Sequence, residues 1–306
     1  MSRIDTDLGR VIIPLITPFH EDGAVDHETL AALAEMVVER GLCDSLIVGG
    51  TTGEFISLTF EERQRILGTV KEAIKNRVPL IAGTGAAYTK HAIELTKSAE
   101  NLGYDVAMVV APYYLRPTAE GLYQHYRAVA ESTKLPILLY NIPLFTGVNI
   151  GPDLLGRLVR ISNIRAIKDE AGVNPTQATE YARVVPDDFA VYCGDDTMVL
   201  QVLTQGGVGV VSGGSAIVGQ RMKQMIGSYF QGDVAQAQRL HLQMYELFRT
   251  FNLNERINTV PLLRDALSMT WRSVGAPRLP LLCGSDEEKA ELARVLAQLG
   301  AMPNPV

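Results

Sequence analysis

Lys168 is the residue in this sequence most suited to chemistry. It closes the apolar run Ile164-Arg-Ala-Ile167, so a buried strand would deliver it into a water-poor cleft. Desolvation disfavours an ammonium, and a lowered pKa is expected there. A neutral amine in such a place attacks a ketone and forms a Schiff base. Asp169 and Glu170 follow directly, and nearby anions favour the ammonium. Strand alternation is expected to turn Asp169 away from Lys168. Tyr140 ends another apolar run, and its phenol can move protons if a second hydroxyl assists it. Thr51 and Thr52 lie in the turn Gly49-Gly-Thr-Thr-Gly-Glu54. They offer hydroxyls and free backbone N–H groups that can hold a small carboxylate. Each residue alone has a plain structural reading: a solvated lysine, a polar turn, an amphipathic rim at Tyr113 and Tyr114. Their joint placement favours chemistry.

The elements that position them are short, nearly continuous apolar runs: 11–17, 45–48, 79–83, 106–110, 136–140, 164–168, 189–193 and 209–212. Such runs suit parallel strands buried on both faces. Helical patterns separate them, over 27–40, 59–75, 89–102, 118–133, 151–159, 175–184, 197–205 and 218–231. Thr59-x-x-Glu62 is a capping box, and Asn76 and Gly103 are helix stops. Eight strand–helix units define a (β/α)8 TIM barrel over residues 1–231. A doubly wound sheet competes, but it wants a Gly-rich fingerprint after the first strand, where Thr17-Pro-Phe-His stands. After 231 the strand signal stops. Residues 234–251, 256–274 and 286–299 read as helices, the last capped by Ser285-x-x-Glu288, so 232–306 is a C-terminal three-helix region packed on the barrel.

Barrel chemistry sits at the C-terminal ends of the strands. That rule selects the 49–54 turn, Gly83-Thr-Gly85, Ala111-Pro-Tyr-Tyr-Leu-Arg-Pro117, Tyr140-Asn-Ile-Pro143, Lys168, Gly194-Asp-Asp196 and Ser212-Gly-Gly-Ser215. Gly206-Gly-Val-Gly209 and Gly213-Gly214 also admit a phosphosugar site, though the chain has no nucleotide P-loop motif.

Of the 306 residues 47% are hydrophobic, enough for a large core, and the net charge is -6, which disfavours nucleic acid as a partner. No apolar run suits a membrane span, and the acidic N-terminus does not read as a signal peptide. Three scattered cysteines, Cys43, Cys193 and Cys283, point to buried thiols in a reducing compartment, hence the cytoplasm. The five histidines lack metal-ligand spacing and read as solvated surface residues, so no metal is expected.

Taken in order, the motifs from Gly49 to Asp196, with Pro112-Tyr-Tyr-x-Arg-Pro117 and Ile167-Lys168 among them, resemble the dihydrodipicolinate synthase / N-acetylneuraminate lyase family over nearly the whole chain. The resemblance implies that Lys168 forms an imine with pyruvate and that Tyr140 is the acid/base. It implies that Thr52 relays protons between Tyr140 and a Tyr114 from a neighbouring subunit, hence a homotetramer built as a dimer of dimers. Backbone N–H groups of Thr51 and Thr52 would hold the pyruvate carboxylate, and Val211 would line its pocket. No cofactor is implied. The synthases carry an arginine for the carboxylate of aspartate semialdehyde where this chain has Phe145. Phenylalanine cannot make those hydrogen bonds, so that substrate should bind at least tenfold to about a hundredfold more weakly unless Arg116 or another group substitutes. The expected activity is therefore a pyruvate-dependent aldolase or lyase with an unidentified aldehyde partner. The alternatives are a 2-keto-3-deoxy sugar acid or N-acetylneuraminate-type aldolase, a dehydratase of a 2-keto-3-deoxy acid through the same imine, and a barrel that binds 2-oxo acids without turnover.

Overall fold

The computed structural model describes residues 7–170 and 172–302. Eight parallel strands close in chain order: β1 (Val11–Pro14), β2 (Ser45–Val48), β3 (Leu80–Gly83), β4 (Val106–Val110), β5 (Ile137–Asn141), β6 (Ile164–Asp169), β7 (Ala190–Cys193) and β8 (Gly209–Val211). β1 pairs with both β2 and β8, which excludes an open doubly wound sheet. Between the strands lie α1 (His27–Glu39), α2 (Phe60–Ile74), α3 (Thr89–Asn101), α4 (Ala119–Glu131), α5 (Pro143–Thr146), α6 (Pro152–Leu158), α7 (Gln177–Ala182) and α8 (Val199–Thr204). After β8 come α9 (Ser215–Phe230), α10 (Val234–Thr250), α11 (Val260–Thr270) and α12 (Asp286–Gln298).

Strand alternation divides the core in two. Inward residues such as Ile12, Ile47, Ile81, Met108, Leu138, Ala166 and Val211 fill the barrel. Outward residues such as Val11, Leu46, Ala107 and Ile167 pack under the helices. The expected capping boxes close at Thr59/Glu62 and Ser285/Glu288, each cap contributing about 1 kcal/mol. Asn76 (φ 64°) and Gly103 (φ 75°) take the left-handed conformation that turns the chain out of α2 and α3.

Two expectations need correction. The 212–217 segment does not remain a loop before a helix at 218. α9 starts at Ser215 with a break at Val218 (φ -116°), because Ser212 Oγ accepts the Ser215 N–H and sets the first turn. The histidines are not all solvated. His125 is buried, its Nδ1 lies 3.1 Å from Thr89 Oγ1, and burial pushes its pKa down to about 4. Cys43 and Cys193 are buried free thiols, whereas Cys283 is partly exposed. Among the described residues no helix is long and apolar enough to cross a membrane, and no cluster of His, Cys, Asp or Glu is placed to hold a metal.

The C-terminal helices join the barrel core, with Leu240, Met244, Leu247, Leu263 and Leu267 packed against it. One buried ion pair fixes them to the mouth: Arg264 Nη1 of α11 lies 2.8 Å from Glu54 Oε1 in the turn after β2. The same guanidinium donates to the carbonyls of Thr17 and Val274. Removing one partner of such a pair would leave a buried charge and cost about 3–5 kcal/mol.

Candidate active site

A register shift creates the site. β5 pairs Ile137 with Ile164, yet Leu138 pairs with Ala166, so β6 carries one extra residue at this point. Without that bulge Tyr140 would face Ile167. With it Tyr140 faces Lys168, and Lys168 in turn faces Tyr192. Tyr140 and Lys168 both point into the barrel, and the Lys168 Nζ lies 3.9 Å from the Tyr140 ring centroid. Gly194 makes room, since a Cβ there would lie 2.7 Å from Lys168 Cε.

The electrostatics differ from the sequence expectation. Burial works against the Lys168 ammonium, but Tyr140, Glu170 and Asp196 outweigh it, so the pKa lies above its ordinary value, not below. Burial likewise raises the Tyr140 phenol, while Lys168 and Thr51 oppose that rise. Within the single chain, Thr51 is the threonine whose side chain hydrogen-bonds Tyr140. The Thr52 methyl lies close to Gly213, in the turn after β8. Among the described residues the backbone N–H groups of Thr51 and Thr52 donate to no protein acceptor. Asp169 turns outward as expected, held by Asn141, Gln177 and Tyr181.

These groups open into a cleft of about 430 Å³ at the C-terminal ends of the strands. Val211 lies at its wall, with Leu144, Phe145, Val173, Phe251, Ile257 and Val260 nearer the opening. Lys168 is the only cationic side chain among the described lining residues, which include the carboxyls of Glu170, Asp195 and Asp196. Arg116 does not replace the absent arginine, because its Nε donates to the Gly147 carbonyl at 3.2 Å and it does not line the cleft. The phosphosugar alternative also fails. Gly206–Gly209 leads into the start of β8 and so lies at the opposite end of the barrel, while the Gly214 N–H is taken by Asp196 Oδ2 at 2.9 Å. A carboxylate there repels phosphate.

Tyr114 stands apart. It is 91% exposed with φ 70°, and it does not line the cleft of its own chain. Sequence reasoning treated Glu170 only as a perturbation of Lys168. The alternation that turns Asp169 outward also brings Glu170 back inside, and that signal was available. The residues from the α10–α11 connection and α11, including Asn252, Ile257, Asn258 and Val260, had no local signal because their placement depends on tertiary packing.

A closed (β/α)8 barrel with an amine and a phenol paired at its mouth defines a lyase of the class I, Schiff-base aldolase type. The match to known proteins is equally extensive. The chain belongs to the dihydrodipicolinate synthetase family, whose profile matches residues 7–299. It is 43% identical over 298 residues to the 4-hydroxy-tetrahydrodipicolinate synthase of Thermosynechococcus vestitus, covering 97% of this chain and 99% of that one. A crystal structure of a dihydrodipicolinate synthase from Bacillus anthracis superposes with a TM-score of 0.90 at 38% identity, covering 98% of this chain and 100% of the other. The chloride-inhibited dihydrodipicolinate synthase of Acinetobacter baumannii, solved with pyruvate, gives 0.90 at 35% identity over 96% of this chain and 100% of that one.

Proposed function

We propose that this protein joins pyruvate to an aldehyde, or releases it, through an imine on Lys168, and that the aldehyde carries no carboxylate. The placement of the Lys168 Nζ 3.9 Å from the Tyr140 ring, at the base of the cleft, carries the first half of the reading. Lys168 attacks the pyruvate ketone after losing its proton, and Tyr140 moves protons to and from the departing water. Thr51 assists Tyr140, and the free N–H groups of Thr51 and Thr52 hold the pyruvate carboxylate against Val211. No organic cofactor or metal takes part. The exposed, positive-φ Tyr114 supports the reading that a second copy of the chain covers it, in a homotetramer. A cytoplasmic location fits the free cysteines.

The lining of the cleft supports the second half. Phe145 and its apolar neighbours offer no partner for a second carboxylate, and the carboxylates of Asp195 and Asp196 repel one. Thr197, Asn252, Asn258 and Thr259 can hydrogen-bond a neutral, hydroxylated or aromatic aldehyde. The test is pyruvate consumption, with product analysis, against aspartate semialdehyde, glyceraldehyde, N-acetylmannosamine and benzaldehyde. Turnover of a neutral aldehyde supports the reading. Saturable, efficient turnover of aspartate semialdehyde contradicts it.

A further inference from the structure

The pairing of β5 and β6 continues past Asp169, because the Glu170 N–H donates to the Asn141 carbonyl at 3.0 Å. Side chains alternate along a strand, so Lys168 and Glu170 share the inner face. Two residues of rise place Glu170 about 7 Å nearer the mouth than Lys168. Its carboxyl lines the cleft there, and among the described residues it has no hydrogen bond or ion pair. A carboxyl kept for structure is tied down, as Asp169 is by Asn141 and Gln177. The groups whose charge acts on Glu170 are Lys168 and Asp169 on its own strand and Asp195 and Asp196 beyond β7. Tyr140, on β5, is influenced by it in turn.

We infer that Glu170 is a further catalytic residue, the acid that protonates the aldehyde oxygen as the carbon–carbon bond forms. This rests on the reading of Lys168 as the imine former. The enamine C3 attacks the aldehyde carbon, and the carbonyl π pair moves to oxygen. That oxygen takes the carboxyl proton of Glu170, the enamine nitrogen becomes an iminium, and Glu170 is left as a carboxylate. In cleavage the carboxylate takes the hydroxyl proton back. Position matches the task, since an aldehyde reaching Lys168 from the mouth passes Glu170.

The surroundings supply the proton at the right moment. Burial, with Asp195 and Asp196, pushes the Glu170 pKa up to about 8 against the pull of Lys168, so it is protonated at neutral pH. The enamine nitrogen is neutral, which removes that pull and holds the proton on Glu170. Bond formation restores the positive iminium and favours its release.

The test separates the two half-reactions in full-length protein and in Glu170→Gln. Borohydride trapping of pyruvate reads the imine. Exchange of the pyruvate methyl protons with D2O reads the enamine. Pyruvate consumption with glyceraldehyde and with benzaldehyde reads the aldehyde step. The variant is expected to trap and exchange pyruvate within about twofold of wild type, which also shows that it is folded. Its aldehyde-dependent kcat is expected to fall about 10²–10⁴-fold. The wild-type decline in rate near pH 8 should vanish with it. Unchanged aldehyde turnover overturns the inference. So does a loss of trapping or exchange as large as the loss of turnover, because Glu170 would then serve Lys168 alone. Wild-type protein that traps pyruvate but consumes none with either aldehyde overturns it too. Absence of a wild-type adduct defeats the imine reading itself.

Discussion

Asn141 and Asp169 meet on the outer side of the barrel, Nδ2 to Oδ1 at 2.8 Å, each one residue beyond a member of the inner pair Tyr140 and Lys168. Asn141 also accepts the Ile150 N–H at 2.9 Å, and Asp169 accepts from Gln177 Nε2 at 3.0 Å. Because alternation links the two faces, the outer bond holds the ends of β5 and β6 in the register that the bulge created. Asn141→Ala is expected to lower stability by about 1–3 kcal/mol, since it strips partners from buried polar groups. A urea midpoint with unchanged slope measures this. The rate of pyruvate trapping should fall as well, and an unchanged rate would limit the network to a purely structural role.

Gly194 tests how tightly Lys168 is placed. A Cβ at this position would lie 2.7 Å from Lys168 Cε and 3.1 Å from the Asp169 carbonyl, both on β6. Gly194→Ala is expected to displace the amine and slow adduct formation by on the order of a hundredfold, as misplacement by about 1 Å does. Circular dichroism should show the barrel intact.

Phe145 tests the aldehyde half. It sits in α5 at the cleft wall and is 38% exposed, so an arginine there has room to reach the opening. Phe145→Arg is expected to raise kcat/KM for aspartate semialdehyde about tenfold to a hundredfold, the value of one charge-assisted hydrogen bond. Glyceraldehyde should gain nothing.

Glu170 also sets a pH dependence of stability. Its pKa is pushed up from 4.5 to about 8 in the folded chain. Between those values the folded state binds more protons than the unfolded one, so stability from this group is present at acid pH and is lost as pH rises toward 8. Glu170→Gln removes that loss. The variant's melting temperature should gain on the wild type between pH 5 and pH 9, measured as the difference of the two at each pH.

Much of this site was legible because it lies on strands whose pattern is strong. The apolar runs before Tyr140 and Lys168, and the glycines of the 49–54 turn, locate the mouth without any structure. The bulge at β6 was not legible, because a single extra residue leaves the apolar pattern unbroken. The sign of the Lys168 shift was missed because burial alone argues for a fall, while the groups that reverse it, Tyr140, Glu170 and Asp196, lie on or just beyond three different strands. Thr51 and Thr52 are indistinguishable in sequence, and only the folded chain singles out Thr51 as the one whose side chain hydrogen-bonds Tyr140. The helix α5 was overlooked because four residues give no periodicity to read.

Borohydride trapping with pyruvate, followed by peptide mapping, tests the central claim most directly. A reduced pyruvate adduct confined to the peptide bearing Lys168, and absent from Lys168→Ala, is the expected result. No adduct, or one on another lysine with Lys168 unmodified, would contradict the assignment of the imine.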